Sequence, residues 1–196
     1  VRWLPLIALV LASLNLRPAL TSIAPLIEVM VADTGLSRAS VGLVTTLPVL
    51  LMGIMALFSP RLAARWGLER CISYALVLLT LSLALRMWAD RPAFLMISAA
   101  GIGIGIAIAG TLIAGFIKQH FSNRLHSVIP LYTVSMILGA ALGLVLTLPL
   151  LELLGDWRWT MAAWSLPALL AWVVWQAVVP PSSNSVRTSA PALPLG

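Results

Sequence analysis

Arg17 offers the most chemistry in this chain because of where it stands. It lies inside the first long apolar run, and Pro18 follows it directly. A charge at membrane depth is costly, so an ionisable residue there marks a candidate functional site. On a helix, positions i and i+4 share a face. Ser13, Arg17 and Thr21 therefore form one polar stripe, with Asn15 to one side. Such a stripe faces protein or water rather than lipid. A guanidinium so placed attracts an anion, and Asn15 and Thr21 are the groups to orient it. Its counter-charge is not evident, since every Asp and Glu falls in a connector or at a span end. An anionic substrate, backbone carbonyls freed by proline, or an acid on another chain could each supply the balance.

Tyr132 is the next candidate. Tyr132, Ser135, Met136 and Gly139 share one helical face, which suits either a cavity wall or hydrogen bonding to a neighbouring helix. Thr45, Thr46 and Pro48 form a weaker polar interruption. Gly101-Ile-Gly103-Ile-Gly105 lacks the G-x-G-x-x-G spacing and has no strand before it, so it is not a nucleotide loop. Gly101, Gly105 and Ala109 instead read as a seam of small residues that lets another helix approach, and Gly139 and Gly143 form a similar one. Catalysis finds little support. His120 and His126 read as solvated loop residues beside Lys118 and Arg124. No H-E-x-x-H, intramembrane aspartate pair or membrane-depth histidine beside a serine is present. An enzyme is not expected, nor a cofactor or metal site.

The elements that must position these residues follow from composition. The chain is 61% hydrophobic and 9% charged, with a mean hydropathy of +1.04. Soluble domains carry about 25% charged residues. A helical span needs roughly 20 mostly apolar residues, and only helices or closed barrels satisfy their backbones in lipid. The sequence predicts an all-α membrane protein of six spans, at about 3–27, 41–59, 71–88, 93–117, 127–151 and 159–179. These make one bundle over 1–179, followed by a Pro/Ser-rich linker or tail at 180–196. Pro18 and Pro25 deprive the carbonyls of Leu14 and Thr21 of their usual donors inside span 1. Arg2 before the run at 3–14 mimics a signal peptide, but no clean cleavage site follows. The first residue is Val, which fits a non-standard start codon or missing upstream sequence.

The net charge of +6 sorts by side rather than pointing to nucleic acid. Arg2, Arg61, Arg65, Arg70, Lys118, Arg124 and Arg187 fall on the side of the termini. Arg38, Arg86, Arg91 and Arg158 fall on the other, with most of the acids. That bias predicts both termini in the cytoplasm. Trp88 marks an interface to which Arg86 is expected to snorkel. Trp157, Trp159, Trp164, Trp172 and Trp175 cluster around span 6, and several of them read as belt residues. The single cysteine, Cys71, excludes an intrachain disulfide framework.

Three stretches carry a resemblance: Asn15-Leu-Arg-Pro18, Thr21-Ser-Ile-Ala-Pro-Leu26 and Leu43-Val-Thr-Thr-Leu-Pro48. With Gly115-Phe-Ile-Lys118 ending span 4, they resemble the cyanate / 2-nitroimidazole permease branch of the major facilitator superfamily. The resemblance implies two six-helix halves with substrate held between them and alternating access by rocking. Each half carries an inverted three-plus-three repeat. This chain would supply the N-terminal half, with spans 1, 4 and 5 on the central cavity and spans 3 and 6 outside. Arg17, Asn15, Thr21 and Tyr132 would contact a small anion or small polar solute. The implied partners are that solute, the lipid bilayer and a second six-helix half, and the implied location is the bacterial inner membrane. The superfamily's loop between spans 2 and 3 is altered, with Pro60 at its first glycine position and Ala64 at its aspartate position, while Arg65 and Gly67 match. Span 4 lacks the arginine common in proton-coupled relatives. The alternative is a truncated, non-transporting six-span protein or scaffold.

Overall fold

Proline and glycine decide where the apolar runs bend. The structure is a computed structural model that describes residues 3–35, 37–89 and 91–179. The expected linker at 180–196, Asp90 of the turn before Pro92, Arg2, Arg187 and the side chain of Arg38 lie outside the described residues. Pro18 has no N–H and crowds the preceding turn. The first helix accordingly stops short, with α1 over Trp3–Asn15 and α2 over Pro18–Thr21 only. Arg17 stands at the break, as the N-cap of α2. Pro25 sits in a 3-10 turn, Ala24–Leu26, and α3 (Ile27–Thr34) carries the run onward.

The connector expected after span 1 is therefore largely helical. Gly35 closes α3 in the left-handed region at φ +65°. Ser37 caps α4 (Arg38–Trp66), its Oγ accepting from Ser40 N at 3.1 Å. The basic loop expected from 60 onward is also mostly helix. Arg65 in the last turn complements the helix dipole, and α4 ends only at Gly67. That glycine, at φ +90°, is the single residue between α4 and α5 (Leu68–Ala84). A 3-10 turn, Leu85–Trp88, completes the third span.

Pro92 opens α6 (Pro92–His120), where its missing N–H costs nothing. After a short 3-10 turn, α7 covers Leu125–Leu154. Asp156 caps α8 (Trp157–Ala163) by accepting from Arg158 N at 2.6 Å. The sixth span, expected as one helix over 159–179, divides at Trp164 into α8 and α9 (Ser165–Val178). Pro167 withholds the N–H that Ala163 would accept, which accounts for the break. Six runs among the described residues are long and apolar enough to cross a membrane.

The bundle is held by apolar packing and by small residues. α6 lies between α4 and α5, α1 lies between α7 and α9, and α2 lies on α7. One core cluster joins Leu9, Leu16, Ile72, Leu79, Ile102, Phe116 and Trp175. A second, toward the other end, joins Ile23, Met30, Val41, Leu95, Trp157 and Met161. Gly101 and Gly105 face α5: a Cβ at 101 would run into Ser82, and one at 105 would come within 3.0 Å of the Ala75 carbonyl. Ala109, one turn further, is buried. Gly139 faces Leu14, and Gly143 faces Pro18 and Thr21.

Two expectations fail here. Arg86 does not snorkel. It is fully buried, and its guanidinium turns inward to Ser98 Oγ and the Ala19 carbonyl. Nor are three of the five tryptophans around the last span placed for a belt. Trp157, Trp164 and Trp175 are buried, with Trp157 Nε1 donating to Asp33 Oδ2 at 2.9 Å, and Trp159 faces outward. The indole N–H groups of Trp157 and Trp175 find partners inside the bundle, Asp33 Oδ2 and the Glu69 carbonyl, so these two act as polar-tipped packing residues, while Trp164 Nε1 is buried without one.

Candidate functional site

The break at Pro18 changes which residues share a face. The stripe of Ser13, Arg17 and Thr21 presumes an unbroken helix, and span 1 is not one. Ser13 is buried and donates to its own Leu9 carbonyl at 2.6 Å. Asn15 is 3% exposed and its Nδ2 donates to Leu11 O at 2.8 Å, which occupies the amide in covering the end of α1. Thr21 Oγ1 lies 3.1 Å from the Ala140 carbonyl, where it pins α2 to α7. Only Arg17 is left exposed.

Arg17 opens into a groove of about 220 Å³. Leu16 and Arg17 form one wall, Met52 and Ala56 of α4 another, and Ile106, Ala107, Gly110 and Thr111 of α6 the floor. Tyr132 and Met136 of α7 close it. Of the four residues expected to contact solute, Arg17 and Tyr132 thus share a site, while Asn15 and Thr21 lie off it. Span 2 joins spans 1, 4 and 5 as a lining element. A wider cavity, about 540 Å³, lies elsewhere, among Trp3, His120, Phe121 and Arg124. It is walled by the turn between α6 and α7 and reaches none of the four.

The electrostatics of the groove are one-sided. No Asp or Glu pairs with Arg17 among the described residues, and its guanidinium makes no hydrogen bond there. Apart from Thr111 and Tyr132 the lining side chains are aliphatic or Met, so Arg17 is the one charged group of the groove among the described residues. Thr111 was not foreseen. Its hydroxyl has no hydrogen-bond partner among the described residues, although a helical threonine often bonds its own preceding turn. The signal was a polar residue directly after Gly110 in an apolar helix. Thr45 and Thr46, by contrast, both donate to Gly42 O, at 2.7 and 2.9 Å, and do not line the groove. Pro48 is a packing partner: a Cβ at Gly103 would lie 2.6 Å from Pro48 Cα.

His120 is likewise no free loop residue. It ends α6, stacks on Phe116 with centroids 4.2 Å apart, and places Nε2 3.8 Å from Glu69 Oε1. His126 is exposed.

Comparison with known proteins speaks for the family and the fold. The sequence profile of the Major Facilitator Superfamily matches residues 7–195. An uncharacterized transporter of Bacillus subtilis is 34% identical over 88% of this chain and 43% of its own length. The cyanate transport protein of Escherichia coli is 34% identical over 87% of this chain and 44% of its own. The 2-nitroimidazole transporter of that organism is 32% identical over 82% and 41%. The chain therefore spans less than half the length of these relatives, matching their N-terminal half. Among solved structures, the inward-open xylose transporter of E. coli superposes with a TM-score of 0.79 at 18% identity, over 93% of this chain and 49% of that one. At that identity the likeness speaks for the fold alone. The all-α six-span bundle has the fold of half a transporter, and the chain belongs to the major facilitator superfamily.

Proposed function

We propose that this chain forms the N-terminal half of a secondary transporter that moves a small anion, cyanate or a close analogue, by alternating access. The observation that carries the reading is Arg17: an exposed, unpaired guanidinium in an otherwise apolar groove, with Tyr132 beside it. A cation in a largely apolar cleft concentrates anions from solution. Arg17 attracts the negative group, and the hydroxyls of Tyr132 and Thr111 orient it. Asn15 and Thr21 serve the site indirectly, by finishing α1 and by fastening α2 to α7.

A second six-helix half would close the groove along α4 and α7, which contribute Met52, Ala56, Tyr132 and Met136 to it. These two are the least covered spans, with 17% and 22% of their most apolar stretches buried against 61% for the fourth span. The positive excess on the side of the termini supports cytoplasmic ends in a bacterial inner membrane. A relative that transports cyanate supports a linear monovalent anion as the first solute to try.

Arg17→Ala and Arg17→Lys in the full-length protein test the reading by uptake of labelled cyanate into cells. Loss of one charge-assisted contact is expected to reduce uptake by Arg17→Ala at least tenfold, about 1.4 kcal/mol. Arg17→Lys should retain part of it, since the charge remains but the planar fork is gone. Wild-type uptake in both variants, with normal membrane levels, would sink the proposal.

A further inference from the structure

Arg86 is a second intramembrane arginine, and it is wholly enclosed. Trp88, two residues on, is 57% exposed, so the boundary is within reach of a long side chain. The guanidinium turns the other way. Its Nε donates to Ser98 Oγ on α6 at 3.2 Å, and its Nη1 donates to the Ala19 carbonyl on α2 at 3.4 Å. Nη2 has no partner, and no carboxylate pairs with the group among the described residues. Burying a cation without a counter-ion is expensive, and snorkelling would avoid that cost.

The cost falls at one particular place. α2 is a single turn, Pro18–Thr21, with a break on each side of it. Its first carbonyl, Arg17 O, accepts from Leu20 N at 3.0 Å and Thr21 N at 3.1 Å. Rotation of this turn therefore swings Arg17. On one side the turn is held by α7: Thr21 Oγ1 bonds Ala140 O, and Gly143 leaves room for Pro18. On the other side the polar contact is Arg86, anchored through Ser98 to α6.

We propose that Arg86 is a positioning residue that sets the aim of Arg17 into the groove by clamping the turn Pro18–Thr21 from behind. It touches no solute. The proposal rests on the reading of Arg17 as the solute contact, but its test does not. In the full-length protein, with Cys71 replaced by alanine and other reactive thiols removed, single cysteines are introduced as Arg17→Cys and, on the opposite wall, Met136→Cys. Each is labelled in membrane vesicles with a small charged methanethiosulfonate, with and without Arg86→Met.

Arg86→Met is expected to change the labelling rate at position 17 at least fivefold and at position 136 less than twofold. Arg86→Lys, which can still donate to the Ala19 carbonyl, should bring position 17 back toward the parent rate. No change at position 17, or an equal change at both, would overturn the proposal, the latter by showing general loosening. Should Arg86→Met fail to reach the membrane, Ser98→Ala frees one side of the guanidinium and leaves the charge. A twofold or larger shift confined to position 17 supports the clamp, and an unchanged rate overturns it. Uptake that is insensitive to Arg17 substitution, alongside a shifted rate at 17, would refute the transport reading and leave the clamp standing.

Discussion

Tyr132 is half-buried at the rim of the Arg17 groove, with its ring against the apolar core and its hydroxyl free to meet a solute. Removing only that oxygen separates orientation from packing. Tyr132→Phe is expected to raise the KM for cyanate uptake threefold to tenfold, about 0.7–1.4 kcal/mol, the worth of one hydrogen bond. Membrane levels should stay at the parent value, and initial-rate uptake across a concentration series checks both. Parent kinetics would leave Tyr132 as a packing residue. Arg17 could be found from sequence because a lone cation amid aliphatic residues is conspicuous, and Tyr132 because its face also carries Ser135 and Met136. Arg86 could not. Its position near a span end suits snorkelling as well as burial, and only the Ala19 carbonyl it reaches, far along the chain, decides between them.

At the scale of elements, prolines and glycines matter more than hydrophobic pattern. The six apolar runs were legible from length and composition, since few polar residues interrupt them. Their ends and breaks were less so. Basic residues after Pro60 look like a loop, yet helix continues to Trp66 because arginines at a helix C-terminus are favourable there. The division of the last span at Trp164 needed the position of Pro167 relative to Ala163. The polar stripe failed for the same reason, since a proline resets helical phase and spacing rules stop at it. Close approach was readable as small-residue spacing, but not which helix approaches. Gly139→Val should drive α7 off Leu14 and Gly53→Ala should be neutral, because a Cβ at 53 meets nothing within 4 Å. Overpacking of this kind costs about 1–3 kcal/mol. A lowered thermal midpoint in detergent for the first variant only is the expected result, and equal midpoints would count against the close packing of α1 on α7.

At the scale of the whole bundle, the outer end of the first span is tied to the start of the last. Asp33 Oδ2 accepts from Trp157 Nε1 at 2.9 Å and from Arg158 Nη2 at 2.8 Å, and Arg158 lies 4.5 Å above the Trp157 ring. An exposed ion pair alone contributes little, but here the same carboxylate also holds a buried indole. Asp33→Ala and Trp157→Phe are each expected to lower the thermal midpoint by a few degrees. Together they should cost less than the sum, because they share one interaction. Strict additivity in that cycle would show the contact to be idle. No sequence rule pairs residues so far apart, so this tie was invisible beforehand.

The lone glycine at position 67 has a mechanical corollary. With a single residue between α4 and α5, the second and third spans form a tight elbow, and neither slides far along its axis without dragging the other. Arg86 hangs from the far tip of that elbow and grips the turn behind Arg17. A push on the corner at Gly67 would therefore travel the length of the third span along one crank and arrive as a twist at the guanidinium.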